Sequence, residues 1–156
     1  MDLLKLESAI GTEFQNQDLL QQAFVHRSYL NENPRFRLGH NERLEFLGDA
    51  VLELIVTEGL YHQYPDKPEG ELTSLRAALV NAKMLSAVAE DIGLNGFLML
   101  SRGEAKDVGR ARQFILANTF EALTGAIYLD RGYAAAKEFV VKNLLPRLEQ
   151  VISEKL

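Results

Sequence analysis

Two pairs of oxygen-bearing side chains, far apart in the sequence, have the types and spacing of a site for a hard divalent cation. Glu45 and Asp49 are spaced i and i+4 in a segment where nine of the thirteen residues from Leu44 to Val56 are apolar. In a helix both project from one face, and Glu42 lies three residues earlier on roughly the same face. Like charges at that spacing cost an isolated helix about 0.2–0.5 kcal/mol, and desolvation raises the penalty. Gly48, between them, costs up to about 1 kcal/mol relative to alanine inside a helix. Three local rules are broken within five residues, which is the mark of a functional site. Gly48 would allow another helix or chain to approach closely. The second pair, Asn118 and Glu121, is spaced i and i+3 in the apolar stretch Phe114 to Leu123. Alone it reads as a capping or packing pair. Packed antiparallel against the first helix, it completes a cluster of four oxygen donors: Glu45, Asp49, Asn118 and Glu121. Oxygen-only ligands suit Mg²⁺ or Mn²⁺, and such a cluster could serve phosphodiester chemistry.

The elements that would carry these residues are helical throughout, with no strand-like alternation. The pattern predicts a short helix from Asp2 to Ile10, stopped at Gly11, and a second from Asn16 or Gln17. Asn31 to Gly39 reads as an exposed loop. One long helix runs from about His40 to Tyr64 and ends before Pro65. Helices follow at Glu69 to Asn81 and Lys83 to Ile92, the latter broken at Gly93. Residues 101–110, with two glycines and mixed charge, read as a loop. Two last helices, Arg112 to Leu129 and Tyr133 to Lys155, are separated by Asp130-Arg131-Gly132, where the glycine caps the preceding helix. No internal repeat, low-complexity tract or linker interrupts the chain, so the expectation is one all-α domain over residues 1–156.

Composition narrows the classes. The 156 residues suffice for one ordinary domain. The chain is 47% apolar and 25% charged, the balance of a globular protein rather than a disordered one. It has no cysteine, which excludes disulfide scaffolds, zinc ribbons and thiol catalysis. No apolar run reaches the roughly 18 residues of a membrane span, and Met1 to Lys5 lacks a signal-peptide start, so a cytoplasmic protein with no membrane partner is expected. The formal charge of −5 argues against a dedicated nucleic-acid module. Two basic stretches counter it locally: Arg27, Arg35, Arg37 and Arg43 in one, Arg102, Lys106, Arg110 and Arg112 in the other. Histidines 26, 40 and 62 have no metal-like spacing and read as structural.

Asn41 to Asp49, reading NERLEFLGD, resembles the signature of the ribonuclease III family. The likeness extends through Leu20 to Ser28, Glu69 to Leu72, Ser74 to Arg76 and Ile115 to Asp130. It implies an all-α endonuclease domain that works as a two-fold homodimer and cuts double-stranded RNA in RNA processing. Each subunit would hold Mg²⁺, with Mn²⁺ as a substitute, and leave 5′-phosphate and 3′-hydroxyl ends with a short 3′ overhang. By position, Glu45, Asp49 and Glu121 fall on three of the family's four metal-binding acidic residues, with Asp49 and Glu121 nearest the chemistry. Glu42 and Glu69 fall on further acidic positions of the cleavage valley. Phe46 falls on the aromatic that plugs into the partner subunit; read from composition alone it would be a core phenylalanine. The second basic stretch, Arg102, Lys106, Arg110 and Arg112, is expected to contact RNA.

Two departures from the family pattern bear on activity. The fourth metal residue is usually aspartate, whereas this chain has Asn118, which keeps one oxygen donor and removes a charge. Weaker metal binding is the expected result. Bacterial members usually carry a C-terminal double-stranded-RNA-binding domain, and residues 1–156 read as the catalytic domain without it. Duplex affinity would then rest on the valley and the basic stretches, and would be salt-sensitive. The alternative reading is a catalytically impaired member that binds structured RNA as a scaffold.

Overall fold

Polar side chains at chain entries set most helix starts in the computed structural model, which describes residues 1–155. Helix α1 (Leu3–Ile10) begins where the Asp2 carboxylate accepts from the Lys5 amide, and α2 (Gln17–Gln22) where Asn16 accepts from Asp18 and Leu19. In α3 (Arg27–Glu32) the cap is the His26 ring, which accepts from the Ser28 amide. Helix α4 (Glu42–Gln63) stops before Pro65, and α5 (Glu69–Val80) starts directly after Pro68. Asn81 caps α6 (Ala82–Asp91), and a 3₁₀ turn covers Leu94–Phe97. Ser101 caps α7 (Arg102–Lys106). Helix α8 (Arg110–Asn143) leads through a 3₁₀ turn at Leu145–Arg147 into α9 (Leu148–Lys155).

Helix α8 is two helices joined at Gly132, whose φ of 87° belongs to the left-handed region that glycine tolerates. Nineteen residues of straight helix would part Phe120 from Phe139 by about 28 Å. Their rings instead stack with centroids 5.3 Å apart, so the second half of α8 folds back onto the first. The Asp130 carboxylate fastens this turn to the start of the chain by accepting from the Gln15 and Asn16 amides.

The core lies between α4 and the first half of α8, the largest helix pairing in the molecule. Leu52, Ile55 and Leu60 of α4 are buried against Phe120, Leu123 and Ile127 of α8; Leu6, Leu20, Leu79 and Leu85 close the core from the other helices, and Phe24 from the turn after α2. Among the described residues there is no strand; one isolated parallel bridge joins Val25 to Met99. No helix among the described residues is long and apolar enough to cross a membrane.

Three features differ from the sequence reading. Helix α3 occupies residues that carry no clear periodicity, and α7 lies inside the expected loop at 101–110. Both are short and are held by tertiary hydrogen bonds: Ser28 Oγ accepts from the Ser101 amide, and Glu32 from the Arg102 amide. The last helix does not run unbroken from Tyr133 to Lys155. Pro146 lacks an amide hydrogen, and the chain turns at Leu145–Arg147 before α9 begins.

Candidate metal-binding cleft

Helices α4 and α8 touch backbone to backbone where the four oxygen donors lie. A Cβ built on Gly48 would sit 1.6 Å from the Glu121 carbonyl oxygen, and one on Gly125 would sit 2.5 Å from that of Leu44. Leu44 thus meets Gly125 while Gly48 meets Glu121, the opposed sense expected from the sequence. The contact lays Glu45 and Asp49 beside Asn118 and Glu121. Together with Glu42, Phe46, His26 and Arg27 they line one open cleft of about 530 Å³.

Burial and crowding of like charge dominate the electrostatics. Burial, first of all, pushes the Glu121 carboxyl up to about 9; a hydrogen bond to Asp49 and the charges of Asp49, Glu45 and Glu53 add to it. At neutral pH Glu121 therefore keeps a proton and shares it with Asp49. Glu45 is raised as well, by burial and then by Glu42 and Asp49. Glu42, at the rim, is ion-paired with Arg27 at 3.7 Å and faces the His40 ring at 3.6 Å.

The two helices present four carboxyls, Glu42 among them at the rim, and the Asn118 amide to this cleft, a set of oxygen donors that suits a hard cation. A carboxyl that holds a proton to about pH 9 marks a place where positive charge is wanted. The donors fit such an ion by chemistry and by common location. As they stand, no three acidic or histidine side chains among the described residues close around a single point.

The other expected site residues fall in several places. Phe46 is 83% exposed at the cleft's edge, so it is not a core phenylalanine. Glu69 stands exposed at the start of α5 and does not line the cleft of this protomer. Arg102, Lys106 and Arg110 are exposed around α7. Arg112 is not, which corrects its place among the RNA-contacting residues. It is 8% exposed, and its guanidinium donates to Asn95 Oδ1 and to the Glu104 and Ala105 carbonyls. It binds the end of α7 to α8, and its Nε has no partner among the described residues.

Residues 16–148 match the ribonuclease-III-like family. The chain belongs to that family. Ribonuclease 3 of Streptococcus pneumoniae is 46% identical over 144 residues, spanning 92% of this chain and 62% of that protein. Ribonuclease 3 of Oceanobacillus iheyensis is 49% identical over 148 residues, spanning 95% of this chain and 65% of the relative. The chain thus covers somewhat less than two thirds of either relative's length. Among solved structures, the nuclease domain of ribonuclease III from Campylobacter jejuni superposes with a TM-score of 0.80 at 39% identity. That match covers 91% of this chain and 98% of the other, a structure described for flexibility in its region involved in dimer formation.

Two cleft residues of this ribonuclease-III-like chain were not legible as such: His26 and Arg27. They precede the signature by some fifteen residues and show no ligand spacing. They reach the cleft because the chain from Phe24 to His26 is pinned to both neighbours. The Met99 amide donates to the Phe24 carbonyl, and the His26 amide to the Met99 carbonyl. The buried Asn41, first residue of the signature, donates its side-chain amide to the Ala23 carbonyl and its backbone amide to that of Val25.

Proposed function

We propose that this chain is the endonuclease unit of a Mg²⁺-dependent ribonuclease that cleaves double-stranded RNA as a homodimer, with Mn²⁺ able to replace Mg²⁺. The observation that carries the reading is the convergence of Glu45, Asp49, Asn118 and Glu121 on one cleft at the α4–α8 contact, in a chain nearly half identical to ribonucleases 3. When bound, a divalent cation supplies charge neutralisation and an acidified water for in-line attack on phosphorus, leaving 5′-phosphate and 3′-hydroxyl ends.

The chain's own residues divide the remaining work. Asp49 and Glu121 would hold the cation, in exchange for the proton that Glu121 otherwise keeps against Asp49. Glu45 and the Asn118 amide oxygen complete the donor set. Arg27 and His40 draw the Glu42 carboxylate to the rim, leaving the centre of the cleft to the four donors. Arg102, Lys106 and Arg110 supply positive charge along α7 and the start of α8, suited to a duplex backbone. Phe46, exposed beside the cleft, supports a two-fold contact with a second copy, as does the dimer-forming region of the Campylobacter relative.

One specific residue favours a second reading. Asn118 offers a neutral oxygen where the family pattern has a carboxylate, and an impaired nuclease would keep RNA binding without turnover. Cleavage of a long RNA duplex by this chain and by Asn118→Asp across a Mg²⁺ titration separates the two. Cleavage by both, with the aspartate variant saturating at lower Mg²⁺, is the expected result. Cleavage by Asn118→Asp alone makes the chain an RNA-binding scaffold, and cleavage by neither overturns the enzymatic reading.

A further inference from the structure

We propose that His26 is a substrate-contacting residue of this cleft, donating a hydrogen bond from Nε2 to a backbone phosphate oxygen of the RNA strand lying there. The inference rests on the nuclease reading and names a contact that the acidic donor set does not supply.

The ring's orientation and tautomer are fixed from behind. Ser28 Oγ accepts from the Ser101 amide at 3.0 Å and lies 2.7 Å from His26 Nδ1, to which its hydrogen is directed once Nδ1 is the acceptor of the Ser28 amide. The Ser28 amide also points at Nδ1, at 3.2 Å. With two donors directed at it, Nδ1 is the unprotonated nitrogen, and the ring's hydrogen resides on Nε2. The backbone is held too, through the His26 amide to the Met99 carbonyl. Burial lowers the pKa of the ring, which keeps it neutral in this tautomer at physiological pH.

His26 lines the cleft, and the hydrogen bonds of its ring are all at Nδ1, so that among the described residues nothing accepts from Nε2. Among the described residues no acidic oxygen pairs with His26, although Glu42, Glu45, Asp49 and Glu121 share the cavity; Glu42 is ion-paired with Arg27 and faces the His40 ring. An N–H donor with no acceptor among the described residues, in a cavity that four carboxyls line together with Arg27, Phe46 and Asn118, calls for an acceptor from outside. An RNA strand presents phosphate oxygens as its most frequent acceptors. A fixed donor also offsets the repulsion that a phosphate meets in an acidic cleft, without competing for the cation as another carboxylate would.

A purely structural role for His26 is the rival, because its Nδ1 also caps α3. His26→Asn separates the two: asparagine is among the best capping residues and keeps an acceptor for the Ser28 amide, while removing the donor that faces the cleft. The wild type and His26→Asn are compared on an RNA duplex with Mg²⁺, and on the same duplex carrying single methylphosphonates around the cut site. The expected result is a melting temperature within about 2 °C of wild type and a fall in kcat/KM of about 10- to 100-fold, the range for a hydrogen bond to a charged acceptor. At one position the methylphosphonate and His26→Asn losses should not multiply, since both remove the same contact.

Unchanged kcat/KM in a folded His26→Asn overturns the proposal, as do losses that multiply at every methylphosphonate position. If the asparagine variant melts more than about 5 °C low, His26→Ser, which also caps, is read by the same criteria. If the wild type fails to cut any duplex, the nuclease reading fails first; duplex affinity by fluorescence anisotropy then replaces kcat/KM, and equal affinity of wild type and variant overturns the contact on its own.

Discussion

Glu121 concentrates the chemistry of this cleft in one carboxyl. Its pKa rises on folding from 4.5 to about 9, chiefly by burial, so the folded chain binds this proton more tightly than the unfolded chain does. The stabilisation from that proton is whole below about pH 4.5 and is lost as pH rises through 9. A divalent cation bound at the proposed site would take the proton's place. In EDTA, thermal melts should therefore show stability declining from pH 5 to pH 9, with millimolar Mg²⁺ restoring more of it at the alkaline end. Glu121→Gln should flatten the decline, remove the Mg²⁺ response and abolish cleavage while leaving the fold intact. A Mg²⁺-induced rise in melting temperature that survives in the glutamine variant would take Glu121 out of the donor set. The four donors were legible in the sequence because i,i+4 and i,i+3 spacings are local and a helix turns them into neighbours. Arg112 was not, because its acceptors, Asn95 and the carbonyls ending α7, are assembled by loops that show no period. His26 was hidden for a similar reason: the residues aiming it, Ser28 and Ser101, are 73 positions apart.

At the level of elements, the crossing of α4 and α8 is set by two glycines, and its tolerance can be stated per residue. Gly48→Ala places a methyl 1.6 Å from a backbone oxygen, so no side-chain rotation relieves it and the helices must part. Helix propensity returns up to about 1 kcal/mol, while overpacking costs about 1–3 kcal/mol or more. A net loss of stability in urea denaturation is expected, together with weaker Mg²⁺ binding, because the donors come from opposite sides of the contact. Gly70→Ala in α5 is the control. A Cβ there meets nothing within 4 Å, and the variant should gain up to about 1 kcal/mol. The long helices were readable because their apolar periodicity runs over many turns. The short ones, α3 and α7, owe their existence to partners across the chain, and the interruption at Pro146 showed that one proline outweighs a continuing apolar pattern.

Across the whole molecule, an acidic chain of formal charge −5 keeps several aromatic and aliphatic side chains in solvent. Phe46, Leu54 and Tyr61 of α4 are 83%, 56% and 67% exposed. Covering Phe46 in a partner would contribute about 1.5–3 kcal/mol for each copy. Phe46→Ala should therefore leave the circular dichroism of the protomer unchanged and weaken self-association at least about 10-fold in sedimentation experiments; an unchanged association constant would remove this residue from the contact. That the phenylalanine faces outward could not be read from composition, since a segment as apolar as Leu44 to Val56 shows no obvious outer side in its sequence. The resemblance supplied the direction that the hydrophobic pattern lacked.

The backbone contact between Gly48 and Glu121 contains no side chain that could be exchanged. The separation of the two donor pairs is thereby insulated from drift in the rest of the core. Leu52, Ile55, Phe120 and Leu123 can be traded for other combinations of equal volume over evolutionary time, while two hydrogen-only positions preserve the cleft. A library randomised among apolar residues at those core sites should return many active sequences, and one randomised at Gly48 and Gly125 almost none.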